Sequence, residues 1–335
     1  MSIFSPPLTG EPQVPINPPI PDREIGSLWR RIVAVLIDSI IVGIAGSLVA
    51  LPFFDTFSRL GAWGRLVGFC LAIPYFVLLN SRIGNGQTLG KRVMHLQVVD
   101  RRGEPISVAK AFVRYFVLSM PFFLNKLTLP ITRTPVVIMY FLGLAVFGLS
   151  AITIYLVLFN RRTRQGVHDL AAGSYVADAD KSGALAVFPI WKGHWAVLVI
   201  LAVVGVIGGE VLKTKLMKLA DFPAMIADAG VVENMDHVQS AGVSDLTWTS
   251  SSSGERKRIY VVNVFWSGTQ NEEEAFASQV ASRILENNPH IADRDLLRIV
   301  VIRGYDLGIA TAHRSDPFED SPARWKAKLL APNPP

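Results

Sequence analysis

The sequence predicts an α-helical integral membrane bundle of about five transmembrane helices, followed by a small soluble α/β domain. Three observations predict it. Half of the 335 residues are hydrophobic and the mean hydropathy is +0.35, oilier than an average soluble protein. The long apolar runs lie almost entirely between residues 30 and 212, whereas 213–335 is an ordinary mixture with charges every few positions. Charge divides at the same place: 19 Lys+Arg against 11 Asp+Glu (net +8) up to residue 212, and 14 against 16 (net −2) beyond it. The basicity thus belongs to the membrane half, where positive loops set orientation and touch anionic lipid, an argument against nucleic-acid binding.

Taken in order, residues 1–26 carry seven prolines before Asp22 and read as a disordered, partly polyproline tail, with no apolar core that would suit a signal peptide. Residues Ile32–Leu51 form an apolar stretch of about 20 residues with one charge, enough to cross a hydrocarbon core of roughly 30 Å. A second span runs from about Leu66 to Asn80, starting near Ala62, with Pro74 inside it. A third, Ala111–Leu124, is weaker because it contains Arg114 and Pro121, and it needs to begin near Val108 to be long enough. The fourth, Pro135–Phe159, is apolar throughout, and the fifth, Trp195–Leu212, has Trp191 and Trp195 at one end as an interfacial belt would. The domains are therefore the tail 1–26, a four-helix membrane region 27–178, a linker and fifth span 179–212, and a soluble domain 213–335.

The connections 81–110 and 160–194 carry six and five basic residues, against two each in 52–65 and 125–134. The positive-inside rule places the first two in the cytoplasm, which puts the N-terminus inside and the soluble domain outside. Lys213, Lys215 and Lys218 argue the other way. The expected location is a plasma membrane, the inner one for a bacterial chain.

Within the first span, Arg31 and Asp38 are seven apart and so share a helix face, about 10 Å apart along the axis. Arg31 can snorkel to the interface, but Asp38 lies deeper and must find a partner. Asp38 is either a proton or cation site, since a desolvated carboxylate exchanges H⁺ for a cation, or one half of an inter-helix salt bridge with Arg114 or Arg31. In residues 84–107, glycines and Lys91 invite comparison with a phosphate-binding loop. Gly84 and Gly90 are one residue too far apart, however, and Arg92 stands where a Mg²⁺-binding hydroxyl belongs. The segment reads instead as a cytoplasmic hairpin, Val93–Val99 followed by a turn, with Lys91 and Arg92 at headgroup level and Ser107 capping the next helix. After the fourth span, Arg161, Arg162 and Arg164 anchor topology, and His168-Asp169 offers a carboxylate for Arg92 or Arg31.

Arg31 and Asp38 within RIVAVLID, then GQTLGKRVMHLQVVD with Arg114 downstream, then HDLAAGSYV, resemble the RDD family of membrane proteins over roughly residues 27–178. That family takes its name from an arginine and two aspartates, which match Arg31, Asp38 and Asp169. The resemblance implies transport of a small ion or solute, Na⁺/H⁺ exchange having been proposed for some members. Lys91, Arg92, Arg114 and His168 would be supporting charges. The competing class is a non-transporting membrane scaffold or assembly protein with an extracytoplasmic binding domain.

Gly205 and Gly209 form a GxxxG pattern that would let the fifth span self-associate. In the soluble domain, Arg258–Trp266 and Leu297–Arg303 read as strands flanking a helix from Gln270 to Glu286, with a final helix near Ser321–Leu329. His237, His290 and His313 are scattered, Ser250–Ser253 reads as a polar loop, and Cys70 is the lone cysteine. No catalytic motif, metal set or cofactor signature is evident, so the expectation is a binding or interaction domain for a partner protein, not an enzyme.

Overall fold

The structure, a computed structural model, describes residues 23–125, 135–186, 188–219, 221–249, 254–269 and 271–330. Most of the proline-rich tail, much of the 125–134 connection and the Ser250–Ser253 loop lie outside them.

Helix α1 (Leu28–Ala50) buries Ala34, Asp38, Val42, Gly46 and Ala50, a stripe repeating every four residues, and turns Ile32, Val35, Leu36, Ile40, Ile44 and Leu48 outward. Small residues inside and large apolar ones outside is the pattern of a helix solvated by lipid, whose neighbours approach through its small face. After a short helix, α2 (Phe54–Ser58), α3 (Gly64–Ile73) returns and continues through a π-turn at Pro74–Leu78. Then come α4 (Leu89–Val93), strand β1 (Leu96–Val99) and α5 (Val108–Leu124). Helices α6 (Val136–Gly143) and α7 (Leu149–Phe159) are joined by a π-turn into one rod, followed by α8 (Val167–Ala172), β2 (Tyr175–Asp178) and α9 (Lys192–Leu216).

Among the described residues, four segments are long and apolar enough to cross a membrane: Leu28–Ser58, Gly61–Leu78, Val137–Phe159 and Lys192–Leu216. Helix α5 is shorter but runs antiparallel to α3. The Tyr115 ring stacks between Phe69 and Phe76 with centroids 5.3 and 5.4 Å away, and Arg65, at the start of α3, donates to the carbonyl of Phe122 near the end of α5. The segment after α4 departs from the expected hairpin: β1 pairs antiparallel with β2, from Leu96↔Asp178 to Val99↔Tyr175, so the local turn at 100–104 is secondary to a contact some 80 residues distant.

The soluble domain comprises α10 (Phe222–Glu233), β3 (Val238–Thr249), β4 (Arg256–Trp266), α11 (Glu273–Asn287), β5 (Leu296–Asp306), β6 (Thr311–Asp320) and α12 (Pro322–Leu330). The sheet order is β3-β4-β5-β6; β4 and β5 are parallel across the α11 crossover and both outer pairs are antiparallel. Tyr260, Val262, Val264 and Trp266 of β4 and Leu297, Ile299 and Val301 of β5 form the core with Val232 of α10, Phe276, Val280 and Ile284 of α11 and Trp325 of α12. The three helices therefore cover one face of the sheet.

The two parts are joined by insertion. The β5–β6 turn, Leu307–Ala310, enters the bundle between α1, α3 and α5 at the end opposite Arg31, with Ile309 against Gly43 and Gly46 and Leu307 against Gly64 and Gly68. Gly43 lies seven residues from Ala50, so the turn reaches roughly 10 Å along α1. Two of its backbone N–H groups are met within it: Leu307 N–H donates to Ala310 O at 2.9 Å and Gly308 N–H to Asp306 Oδ1 at 2.8 Å. That is the condition for non-helical backbone at membrane depth. Arg65–Asp306 (2.8 Å), Arg303–Asp55 (3.1 Å) and a bond from Gln239 Nε2 to Ser58 O (2.6 Å) close the seam.

The close approach at Gly46, where a Cβ would lie 3.3 Å from that of Ala310, predicts that Gly46→Cys with Ala310→Cys in a Cys70→Ala background closes a disulfide under mild oxidation. The shift on a non-reducing gel reads it out. Two thiols that stay open to alkylation would mean that the turn is not seated.

Candidate functional site

At the end of the bundle away from the inserted turn, three motifs far apart in sequence converge. Asp38 is 2% exposed. Its Oδ1 accepts from Tyr75 Oη at 2.6 Å and from the Gly90 backbone N–H at 2.8 Å, and its Oδ2 accepts from Thr88 Oγ1 at 2.6 Å. Thr88 is also the N-cap of α4. The first turn of α4 thus faces an anion, as helix N-termini favour, but the anion is the protein's own carboxylate. Gly90 permits the approach, since a Cβ there would lie 2.2 Å from Ala34 O. The expected ion pair of Asp38 with Arg31 or Arg114 is corrected: the direct hydrogen bonds to Asp38 come from three neutral donors, because both arginines are held elsewhere.

Arg114, on α5 and 5% exposed, pairs through Nε with Asp169 Oδ1 at 2.8 Å. Ser174 Oγ donates to the same oxygen at 3.1 Å, and His168 Nε2 lies 3.3 Å from Oδ2. Gly173, with φ +60°, ends α8 and lets Ser174 fold back onto Asp169. Burial alone would raise the Asp169 carboxyl; Arg114, then His168 and Arg31, hold it well below the usual carboxylate range. Burial pushes the His168 imidazole down. Asp169 therefore pairs with Arg114, not with Arg92, which is exposed, nor directly with Arg31.

Arg31 donates to three carbonyls: Gly26 at 3.2 Å, Arg164 at 2.7 Å and Val176 at 2.8 Å. It ties the start of α1 to the loop before α8 and to β2. Its neighbour Arg30, which the sequence reading passed over, bonds Met94 O, His95 O and Asp178, each at 2.7 Å. Tyr75, Thr88, Gly90 and Ser174 were also missed. Thr88 before a short helical run was the one available signal, as a cap.

Lys91 does not face outward as a headgroup contact would. It is 8% exposed, with Nζ 3.4 Å from Thr88 Oγ1, because α4 packs its Gly90–Lys91 side against α1. Burial lowers its ammonium to about 7; Arg114 pushes the same way, and Asp38 and Asp169 oppose.

Two expectations follow. Asp169→Asn leaves the Arg114 guanidinium buried without its counter-charge and costs about 3–5 kcal/mol, much of which Asp169→Asn with Arg114→Leu restores; thermal unfolding of the solubilised protein measures both. Lys91 releases its proton near pH 7 when folded and near 10.5 when unfolded, so the unfolded chain binds more protons between those values. Stability then rises with pH through that window, and Lys91→Met flattens the rise. A wild-type profile already flat from pH 7 to about 9 would contradict this assignment.

The converging motifs are those of a known family. A family model described as RDD family matches residues 25–173, whereas no curated protein and no solved structure matches the chain. Residues 25–173, with Arg31, Asp38 and Asp169 at the core of their polar end, belong to the RDD family.

Proposed function

We propose that this multi-pass protein is a membrane-anchored scaffold or binding protein, crossing five times with α5 as the third span and carrying its soluble domain outside the cytoplasm. One observation carries the reading: among the described residues, the carboxylates at one end of the bundle and the cleft at the other are occupied by the protein's own groups. A carrier needs a carboxylate free to exchange a protein donor for its ion. Here Asp38 holds three donors, Asp169 holds Arg114 and Ser174, and the β5–β6 turn fills the cleft between α1, α3 and α5 at the other end. The charges then act as latches that seat α4, α8 and the small β1–β2 sheet against α1. In this reading the chain has no catalytic step. Its location is the plasma membrane. The topology draws support from the basic connections at the Arg31 end and from the soluble domain entering at the opposite end.

A specific observation favours a second reading, proton-coupled cation exchange: Lys91 is buried near both Asp38 and Asp169 and titrates near neutrality. Purified protein in vesicles loaded with a pH-sensitive dye separates the two. The scaffold reading expects proton flux equal to that of empty vesicles under an imposed Na⁺ gradient. Flux abolished by Lys91→Met or Asp38→Asn in a folded protein would replace it with the exchanger. For topology, Glu255→Cys with Cys70→Ala should react with an impermeant maleimide on intact cells; reaction only after permeabilisation would reverse the orientation.

A further inference from the structure

Helix α4 carries an outer face of mixed chemistry. Gly90 and Lys91 are buried on its α1 side, and Leu89, Arg92 and Val93, spaced three and four apart, share the other side. Leu89 and Val93 are 41% and 62% exposed, and Arg92 is exposed between them. The level of this face follows from α1. Trp29, 61% exposed in the first turn of α1, marks the edge of the bilayer as an interfacial Trp does. Gly90 meets Ala34 and Asp38, which lie further along α1 and so about 8 and 14 Å deeper than Trp29. A headgroup layer is only roughly 5–8 Å thick. The outer face of α4 therefore lies at the border of headgroups and acyl chains, where Leu89 and Val93 meet hydrocarbon and a guanidinium needs an anion.

We infer that the outer face of α4 binds one anionic phospholipid, its phosphate on the Arg92 guanidinium and an acyl chain over Leu89, Val93 and the outward side of α1. Three features select this occupant. First, among the described residues no carboxylate pairs with Arg92, and the aspartates nearby are engaged: Asp38 by Tyr75, Thr88 and Gly90, Asp169 by Arg114, Asp178 by Arg30 and Asp180 by His95. An arginine at this border without a protein counter-charge reaches for the anion that the bilayer supplies, the lipid phosphate, and its planar fork matches phosphate with two hydrogen bonds. Second, the connections 81–110 and 160–194 at this end carry eleven basic residues against five acidic ones, which favours a headgroup with net negative charge over a zwitterionic one. Third, Ile32, Val35 and Leu36 of α1 are 52–57% exposed and continue the apolar track along which a chain can lie, at a depth that a lipid reaches and a soluble partner does not. Helix α4 and its cap hold Asp38 from their inner side, so a lipid on the outer side secures the same latch. The inference stands on the membrane placement of α1, and holds equally whether the chain is a scaffold or an exchanger.

The test is native mass spectrometry of the purified full-length chain with equimolar phosphatidylglycerol and phosphatidylcholine of matched acyl chains. The expected result is one phosphatidylglycerol retained per chain, about fivefold over phosphatidylcholine, the size of one arginine's attraction to an anionic headgroup. Arg92→Gln should bring the two lipids level, and Arg92→Lys should keep part of the preference. Arg101→Gln with Arg102→Gln, in the exposed turn after β1, should leave it intact. Inorganic phosphate in tenfold excess should displace nothing, since it has no chain to lay over Leu89 and Val93. The Gly46→Cys and Ala310→Cys disulfide, built with Cys70→Ala into each variant, reports that the variant is folded. A wild-type chain without the preference would overturn the inference, as would a folded Arg92→Gln that keeps it. So would an equal loss in the Arg101→Gln and Arg102→Gln variant, displacement of the lipid by phosphate, or a lipid-free dimer of the chain.

Discussion

A hydrocarbon bilayer offers no hydrogen bonds, and that absence organises this molecule. Polar groups carried into the bundle are therefore favoured where they meet partners inside the protein. Asp38 draws donors from α3, from the cap of α4 and from an α4 backbone amide. Arg31 spends its guanidinium on three carbonyls, and the β5–β6 turn bonds to itself before it enters. Remove any one of these sets and a short element loses its seat: α4, the loop before α8, or the turn.

The two ends of the bundle solve the same problem differently. At the RDD end, arginines from the start of α1 reach across to Met94 and His95, the loop before α8 and β2, while α8 presents Asp169 to Arg114. A buried pair of that kind gives little net stability over an apolar replacement, because desolvation offsets the Coulomb gain. Its effect is selective: a misplaced α8 would strand two charges. At the opposite end the fit is made by glycines. A Cβ at Gly68 would lie 1.7 Å from Leu307 O, so the turn enters where α3 has no side chain.

This joining changes what the soluble domain is. A tethered module on a helical stalk would sample many orientations. Here Arg65, Arg303, Gln239 and the inserted turn hold its sheet on the bundle. Helices cover one face of the sheet.

By itself the sequence pointed to a membrane part of long apolar helices, a separate sheet-containing part and the RDD motifs of residues 25–173. Long apolar runs, charge asymmetry and three local motifs are properties of neighbouring residues, and hydrocarbon leaves the backbone few alternatives to helix. It also marked β4, β5, α11 and α12, whose patterns are strong. Strands β3 and β6 escaped notice because Gly242, Asp245, Pro317 and several serines make poor strand signals, and only pairing with β4 and β5 holds them extended. Tertiary structure alone decided which arginine meets which aspartate, that Lys91 is inside, and that a hairpin tip from residue 307 onward seats against glycines at 43–68. Those pairings link residues far apart in sequence, from Arg114 with Asp169 to Gly43 with Ile309, and several partners compete on charge alone. Geometry chooses among them, through the bare backbone of Gly90 and Gly68 and the turn at Gly173.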